Sequence, residues 1–485
     1  MKKNKKMKIK RNPRKSRTTR RSSTTGAKPR KVLTLGRTTT GGEKQIAKII
    51  RGMQDVLPAE EKIWDYFFEK AKKLAKNFGF VKINTPILEE CWIFKKGAGE
   101  TAEIIKKQMY DFFERRGEVK LALRPDFVPS IARAYIDNGM FNLPQPVKLY
   151  YSGPVFRYEK LEHGRYHQFH KFGLQIIGSD KPVTDAELVI YADSLFKNLG
   201  FKVKIEINDL GCSRCRSFYR KKLYNFLKKR KKYLCSTCQE NLEKNSLNVL
   251  KCKENNCQDI IKTGPQIINS LCDRCEDHFH KYLEYLDGAE ITYHLNPYLI
   301  RGLDYYNGPI FEVYSTLSQE KFQSLPEEER QFLKNQHKTK GVKLSGGGRS
   351  DKLIEILGGR SMPACGAGFG AERIIEELKG RKIKVYLGKR NPIFLARIGD
   401  AATVEALKIK KLLTEEFMVV DNLSEESLTA QLETASKLNL KFILIIGNQE
   451  VLDKTIIIRN LATGAQEVIS QEKMINGIKK RLKEK

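Results

Sequence analysis

The sequence predicts an α+β protein in three parts. Residues 51–210 and 291–378 mix period-two strand patterns with helical periodicities, and a cysteine-dense segment from about 211 to 289 interrupts them. From residue 393 strands and helices alternate, the pattern of a small α/β domain. At 485 residues the chain is long enough for two or three such units, each with its own core.

Taken in order, residues 51–58 open the fold, and Pro58 suits the first turn of a helix through Trp64, Phe67, Phe68, Ala71 and Leu74 that Gly79 ends. Segment 81–88 reads as a strand, 108–113 and 119–124 as a strand pair, and 129–138 as a helix. Strands at 147–157 and 166–178, a helix at 185–199 and a strand at 203–208 lead into the cysteine-rich segment. The first fold resumes at Ile291 and closes on two glycine-rich runs, 346–352 and 365–373, the second entering a helix at 373–378. The last part offers strands at 393–398, 417–420, 442–446 and 455–459 and helices at 404–413 and 427–438.

The strand pair at 147–178 is the most informative element. On its second strand the period of two sets His167, Phe169, Lys171, Gly173 and Gln175 on one face, and His170, Phe172, Leu174 and Ile176 on the other. A single ring among charged and amide groups, beside Arg157 and Arg165, suits a nucleotide, with adenine on Phe169 and phosphates on the guanidiniums. An ordinary hairpin with a solvated face gives the same alternation, so periodicity leaves both readings open.

Charge is unevenly placed. The net charge is +33, and residues 1–42 hold 16 Lys and Arg with no acid amid Ser, Thr and Gly, which predicts a disordered basic arm at 1–48. Such an arm attaches to nucleic acid through counterion release, serves as a solubilising tail, or acts as a transit peptide lacking the usual apolar face. A second concentration, 216–232, carries nine Lys and Arg and no acid, interleaved with Phe218, Tyr219, Leu223, Tyr224, Phe226 and Leu227 at helical spacing. That is a surface for a phosphate backbone or simply a solvated face. No run of about 18 apolar residues and no export leader is found, so a cytoplasmic protein with no membrane span is expected.

Phe156-Arg157-Tyr158-Glu159, Gly164-Arg165-Tyr166, Gln168-Phe169-His170, Arg301-Gly-Leu-Asp-Tyr-Tyr-Asn307 and Gly370-Ala-Glu-Arg373 follow one another along the chain. Each alone is a weak signal. Together and in this order, over residues 51–485, they make the chain resemble the histidyl-tRNA synthetases, a class II aminoacyl-tRNA synthetase family. The resemblance implies an α+β catalytic domain at 49–210 and 290–380, with an antiparallel six-stranded sheet and flanking helices. It also implies a Cys-rich basic insertion at 211–289, an anticodon-binding α/β domain at 388–485, and a homodimer. The implied partners are histidine, ATP with Mg2+, and histidine tRNA, joined through histidyl-adenylate.

By similarity, Arg157 and Arg301 are the catalytic residues. Arg157 would hold the α-phosphate, Arg301 the same phosphate and the substrate carboxylate, and Arg165 and Arg373 the outer phosphates, with Glu159 and Phe169 completing the ATP site. Fixed guanidiniums that do not titrate suit a pentavalent phosphate, where negative charge concentrates. The histidine pocket implied by the same resemblance draws on Asp126, Phe127, Val128, Arg157, Lys171, Gln175, Arg301, Tyr305 and Tyr306. Here the chain departs from the family. Asp126 and Val128 stand where a Glu and a Thr follow Arg-Pro, and Lys171 and Gln175 where a Gln and an acid are usual. Ser350 and Lys352 replace Tyr and Gly, and Gly308-Pro309 replaces Arg-Thr. An ammonium at 171, where the ligand's own ammonium should sit, is unfavourable unless it is paired or turned away.

Eight of the ten cysteines fall within 64 residues as close pairs: Cys212 with Cys215, Cys235 with Cys238, Cys252 with Cys257, and Cys272 with Cys275. In a reducing cytosol these spacings fit one or two structural Zn2+ sites better than disulfides, with reduced packing thiols as the alternative. Cys91 and Cys365 stand apart and read as buried apolar thiols. Two functions remain open at this level: an active histidine–tRNA ligase, or a catalytically degenerate synthetase-like protein with an RNA-binding or regulatory role. The final domain favours the first.

Overall fold

The computed structural model describes residues 47–98, 104–161, 164–303, 305–316, 327, 340–381, 392–422, 424–438 and 440–483. The arm expected at 1–48 lies outside them but for its last two residues, as does Asp304 of the Arg-Gly-Leu-Asp motif.

The first helix spans Pro58–Asn77, opened by Pro58 and by Glu60 and Glu61 in its first turn, where acids complement the helix dipole. Gly79, at φ +78°, turns the chain out of it. The strand expected at 81–88 divides into β1 (Val81–Lys82) and β2 (Leu88–Glu90). The reason is Pro86, which has no amide to donate, and the carbonyls of Thr85 and Pro86 are taken instead by the Arg124 guanidinium. The next pair is β3 (Asp111–Phe113), which starts three residues later than expected because 104–108 winds into a π-helical turn, and β4 (Lys120–Leu123), one residue shorter than expected at each end. A helix follows at Val128–Asp137, then β5 (Val147–Phe156), β6 (Gln168–Ile177), a helix at Pro182–Asn198 and β7 (Val203–Asp209).

After the insertion come β8 (Tyr293–Leu295), β9 (Asn307–Thr316), β10 (Lys340–Arg349), β11 (Ala364–Gly370) and the helix Ala371–Gly380. The main sheet runs β1-β5-β6-β11-β10-β9-β7-β8. Its six central strands are antiparallel, as expected, but β1 and β8 add a parallel strand at each edge, so the sheet has eight strands rather than six. Phe172, Leu174 and Ile176, on one face of β6, sink into the core with Phe67, Tyr191, Phe196 and Phe369. Each such ring or branched chain stabilises the fold by roughly 1.5–3 kcal/mol on burial. The opposite face of β6 is left for the site.

The insertion is helical, with helices at Ser213–Lys228, Ser236–Lys244, Asn255–Lys262 and Asp273–Gly288. Along the first, Cys215, Tyr219, Leu223 and Leu227 form the buried stripe. Phe218, expected in that stripe, is instead 52% exposed, its ring beneath the Lys222 ammonium at 4.3 Å. Arg220, Lys221, Lys222, Lys228 and Lys229 face outward.

The last part is a five-stranded sheet of order β13-β12-β14-β15-β16. The strands are β12 (Ile393–Arg397), β13 (Val419–Asp421), β14 (Phe442–Ile446), β15 (Thr455–Asn460) and β16 (Gln466–Ser470), the last of which the sequence did not announce. Its apolar sides alternate, Leu395, Leu444 and Ile446 to one core and Phe394, Ile443 and Ile445 to the other. Among the described residues no helix is long and apolar enough to cross a membrane.

Candidate active site

A cleft of about 340 Å³ opens on the face of the main sheet away from the Phe172 core. It is lined by Asp126, Arg157, Glu159, Arg165, Phe169, Lys171, Arg301, Tyr306 and Arg373, residues separated by up to 247 positions in the chain. Register explains the gathering. Val155 pairs with Phe169 across β5 and β6, and Gly366, Gly368 and Gly370 pair with Gln175, Gly173 and Lys171 across β6 and β11. Close approach requires glycine at two positions, one on β10 and one on β11: a Cβ at Gly346 would overlap Arg301 and the Phe311 carbonyl, and one at Gly366 would overlap Gln175 and the Leu174 carbonyl.

The cations are tied down. Arg157 donates from Nε to the Pro125 carbonyl at 2.8 Å and from NH2 to Asp126 Oδ2 at 3.1 Å, and its guanidinium lies 5.3 Å from the Phe169 ring centroid. Arg165 pairs with Glu159 at 3.6 Å. Arg301 donates to Glu312 Oε1 at 3.0 Å and to the Tyr306 hydroxyl at 3.1 Å. Arg373 donates to the carbonyls of Gly164 and Lys343. Glu372, beside it, accepts from the backbone amide of His170 at 2.7 Å. Such anchoring holds the charges in place before any anionic ligand arrives, the condition for electrostatic preorganisation.

Lys171 is not turned away from the site; it is paired. Its ammonium donates to both oxygens of Asp126 at 2.8 Å, so one carboxylate on a short stem answers both Lys171 and Arg157. Burial pushes the Asp126 carboxyl up, but Lys171 and Arg157 outweigh it and hold it below the ordinary carboxylate range.

Next to the cleft, Val128, Tyr151, Lys171, Gln175, Tyr305, Tyr306 and Ser350 enclose a second space of only about 10 Å³, room for roughly one water molecule. Gln175 Oε1, the Tyr305 hydroxyl and Ser350 Oγ are buried there without a hydrogen-bond partner among the described residues. Buried polar atoms are usually paired, so these three mark where a polar ligand would bond. Phe127 lines neither space; it stacks on Tyr151 with centroids 4.5 Å apart, under the Arg124 guanidinium at 3.8 Å. Lys352 pairs with Glu355 at 2.8 Å and also lines neither space.

Sequence reasoning passed over two members. Lys343, on β10, lines the cleft and pairs with Glu312, itself on β9. Burial and the neighbouring Arg301 push the Lys343 ammonium down to about 8, against the pull of Glu312. Glu312 is raised by burial and then carried down to about 2 by Lys343 and Arg301. The available signal was a lysine two positions before Ser345 on the glycine-rich strand.

The eight insertion cysteines form two groups: Cys212, Cys215, Cys272 and Cys275, and Cys235, Cys238, Cys252 and Cys257. Within each, all four sulfurs lie within 4.8 Å of one another. Cys91 and Cys365 are buried, and burial raises both thiols, but their surroundings are not wholly apolar: Cys91 Sγ lies 3.8 Å from Asp111 Oδ2 and Cys365 Sγ 3.7 Å from the Thr184 carbonyl.

Residues 52–374 match the family model described as histidyl-tRNA synthetase, and residues 393–481 that of an anticodon binding domain. A histidine–tRNA ligase of Acetivibrio thermocellus is 35% identical over 88% of this chain and 98% of its own length. One from Caldicellulosiruptor saccharolyticus is 36% identical over 89% and 99%. The crystal structure of apo S. aureus histidyl-tRNA synthetase superposes with TM-score 0.70 at 28% identity, covering 89% of this chain and 99% of that one.

Proposed function

Because the chain belongs to the histidyl-tRNA synthetase family, we propose that it joins histidine to its tRNA, as its relatives' names state of them, in the cleft on the main sheet. A carboxylate oxygen of histidine attacks the α-phosphorus of ATP and pyrophosphate leaves, giving histidyl-adenylate. The terminal ribose hydroxyl of the tRNA then attacks the acyl carbon and AMP leaves.

The observation that carries this reading is the convergence of Arg157, Arg165, Arg301, Arg373 and Phe169 on one cleft beside a small pocket with unpaired polar atoms. Arg157 and Arg301 face the reacting phosphate, where negative charge builds. Arg165 and Arg373 take the outer phosphates, Glu159 holds Arg157 and Arg165 in place, and adenine stacks on Phe169. Glu159 and Glu372 offer hard oxygen donors at the same cleft, which suits Mg2+ carried on the nucleotide. Bound there, the ion would add positive charge over the phosphates.

Histidine occupies the smaller space after it widens. Its carboxylate meets Arg301, its ammonium Asp126, and its imidazole Gln175, Tyr305 and Ser350, with Tyr151, Val128 and Tyr306 as walls. Phe127 acts from behind, bracing Tyr151. A neutral amide in place of a carboxylate selects the neutral imidazole.

The bounds 49–210 with 290–380, 211–289 and 388–485 are our division into catalytic, insertion and anticodon-binding domains. The outward bases of helix Ser213–Lys228 form a phosphate-binding face for the tRNA. Each thiolate group is suited to one structural Zn2+: a tetrahedron of about 2.3 Å Zn–S bonds sets sulfurs about 3.8 Å apart, and the structure has Cys212–Cys215 at 3.5 Å and Cys235–Cys252 at 3.8 Å. A homodimer is proposed because Leu88, Trp92, Phe112 and Phe113 are exposed around the sheet of β2, β4 and β3, an apolar face that a second copy would cover. A cytoplasmic location follows the substrate. Charging of a histidine tRNA transcript with labelled histidine tests the function, and absence of product would leave the degenerate, RNA-binding reading.

A further inference from the structure

The two thiolate groups stand in different parts of the insertion. Cys212 and Cys272 are the N-caps of its first and last helices, so Cys212, Cys215, Cys272 and Cys275 clasp its root. The other group lies wholly between them in sequence. In the root group the Cys272 amide donates to Cys215 Sγ at 3.2 Å, and in the distal group the Cys235 amide donates to Cys257 Sγ at 3.2 Å, bonds that favour a thiolate.

Two routes run from the root group to the amino-acid pocket. Arg216, next after Cys215, donates to the Tyr306 carbonyl at 2.8 Å, while Leu210 and Gly211 exchange backbone bonds with Gly308 at 2.8 and 3.1 Å. On the last helix, His278 Nε2 lies 2.8 Å from Asp185 Oδ2, which also accepts from Arg349 at 2.7 Å. Arg349 bonds Asp351, whose carboxylate takes the Asn307 amide, and it precedes Ser350. Tyr306 and Ser350 are both walls of the small pocket.

We propose that a zinc ion bound by Cys212, Cys215, Cys272 and Cys275 positions the amino-acid pocket, whereas the distal zinc organises only the outer part of the insertion. The inference rests on the ligase and zinc readings above. The metal fixes the starts of two helices, and Arg216 and His278 carry that placement to the two loops that wall the pocket. Arg216 is a positioning residue in this scheme, and a shift of about 1 Å in such a wall costs up to about 100-fold.

The test measures zinc by elemental analysis, and histidine KM and kcat from pyrophosphate exchange, on the full chain and three variants. The full chain is expected to hold two zinc per chain. Cys212→Ser with Cys215→Ser should lose one and raise histidine KM at least about tenfold, more than ATP KM. Cys235→Ser with Cys238→Ser should lose the other at unchanged histidine KM. Arg216→Ala should keep both zincs and still raise histidine KM, which separates positioning from misfolding. Less than about half an equivalent at the root would overturn the metal site. Wild-type histidine KM in the root and Arg216 variants, or an equal rise in the distal variant, would overturn the coupling. A full chain that exchanges with no amino acid would refute the ligase reading instead, and its zinc content would still decide the metal.

Discussion

The proposed nucleotide cleft and the proposed amino-acid pocket share β6, yet they differ in room and in how their polar groups are held. In the cleft every nominated arginine has a partner, although Arg301 Nε and Ser345 Oγ are buried without one among the described residues, and about 340 Å³ stands open. In the pocket Gln175 Oε1, the Tyr305 hydroxyl and Ser350 Oγ are buried without a partner among the described residues, around about 10 Å³. A preorganised cleft spends nothing on rearrangement when charge develops, whereas a tight pocket with orphaned polar atoms must open for its ligand and gains those hydrogen bonds when it does. On the proposed assignment, nucleotide recognition is built in and amino-acid recognition is completed by binding.

The largest expected effect lies in the cleft. Arg301→Gln removes a fixed charge at the reacting phosphate and should lower kcat of pyrophosphate exchange by about 10²- to 10³-fold; a change confined to KM would make Arg301 a ground-state binder. In the pocket, Gln175→Leu should raise histidine KM by about 100-fold, since a site built to bond a polar group loses that bond, while ATP KM stays near wild type. An unchanged histidine KM would mean that the imidazole lies elsewhere.

Lys171→Gln addresses the boundary between the two regions. It leaves Asp126 paired with Arg157 and frees an oxygen for the ligand's ammonium, so histidine KM should fall by up to about tenfold at constant kcat. A rise would show that Lys171 supports the pocket rather than competing for Asp126.

The smallest effect is expected from pH. Lys343, pushed down to about 8, is charged below that value and neutral above it, so ATP KM should rise a few-fold as pH passes from about 7 to 9. The sign for stability is opposite. Between about 8 and the ordinary lysine range the unfolded chain binds the extra proton, so this group's cost is fully present below 8 and is relieved as pH rises. Lys343→Met should abolish the pH-dependent part of ATP KM; retention of the full rise would assign it to another group.

How far the site was legible in the sequence follows the same division. Phe169, Lys171 and Gln175 were placed on one face by the period of two, because a strand alternates whatever surrounds it. Arg157, Arg301 and Arg373 were found through motifs. Glu312 and Lys343 were not, since the turn signal Asn307-Gly308-Pro309 falls within the start of β9 and reads as a break rather than a strand, and a lone lysine among glycines carries no pattern; their pairing is a contact between strands by residues 31 positions apart. The ion pair of Lys171 with Asp126 was equally hidden, because spacing tells which residues share a face and not which partners they choose. The cysteines show the limit most plainly: four close pairs were visible, but only the fold joins the first pair to the fourth and the second to the third.

Histidine-dependent exchange of labelled pyrophosphate into ATP, run against the full set of amino acids, tests the central claim most directly. Exchange that is saturable with histidine and at background with the other amino acids is the expected result. Exchange with none, or with another amino acid in preference, would contradict the assignment of Asp126, Lys171 and Gln175 to a histidine pocket.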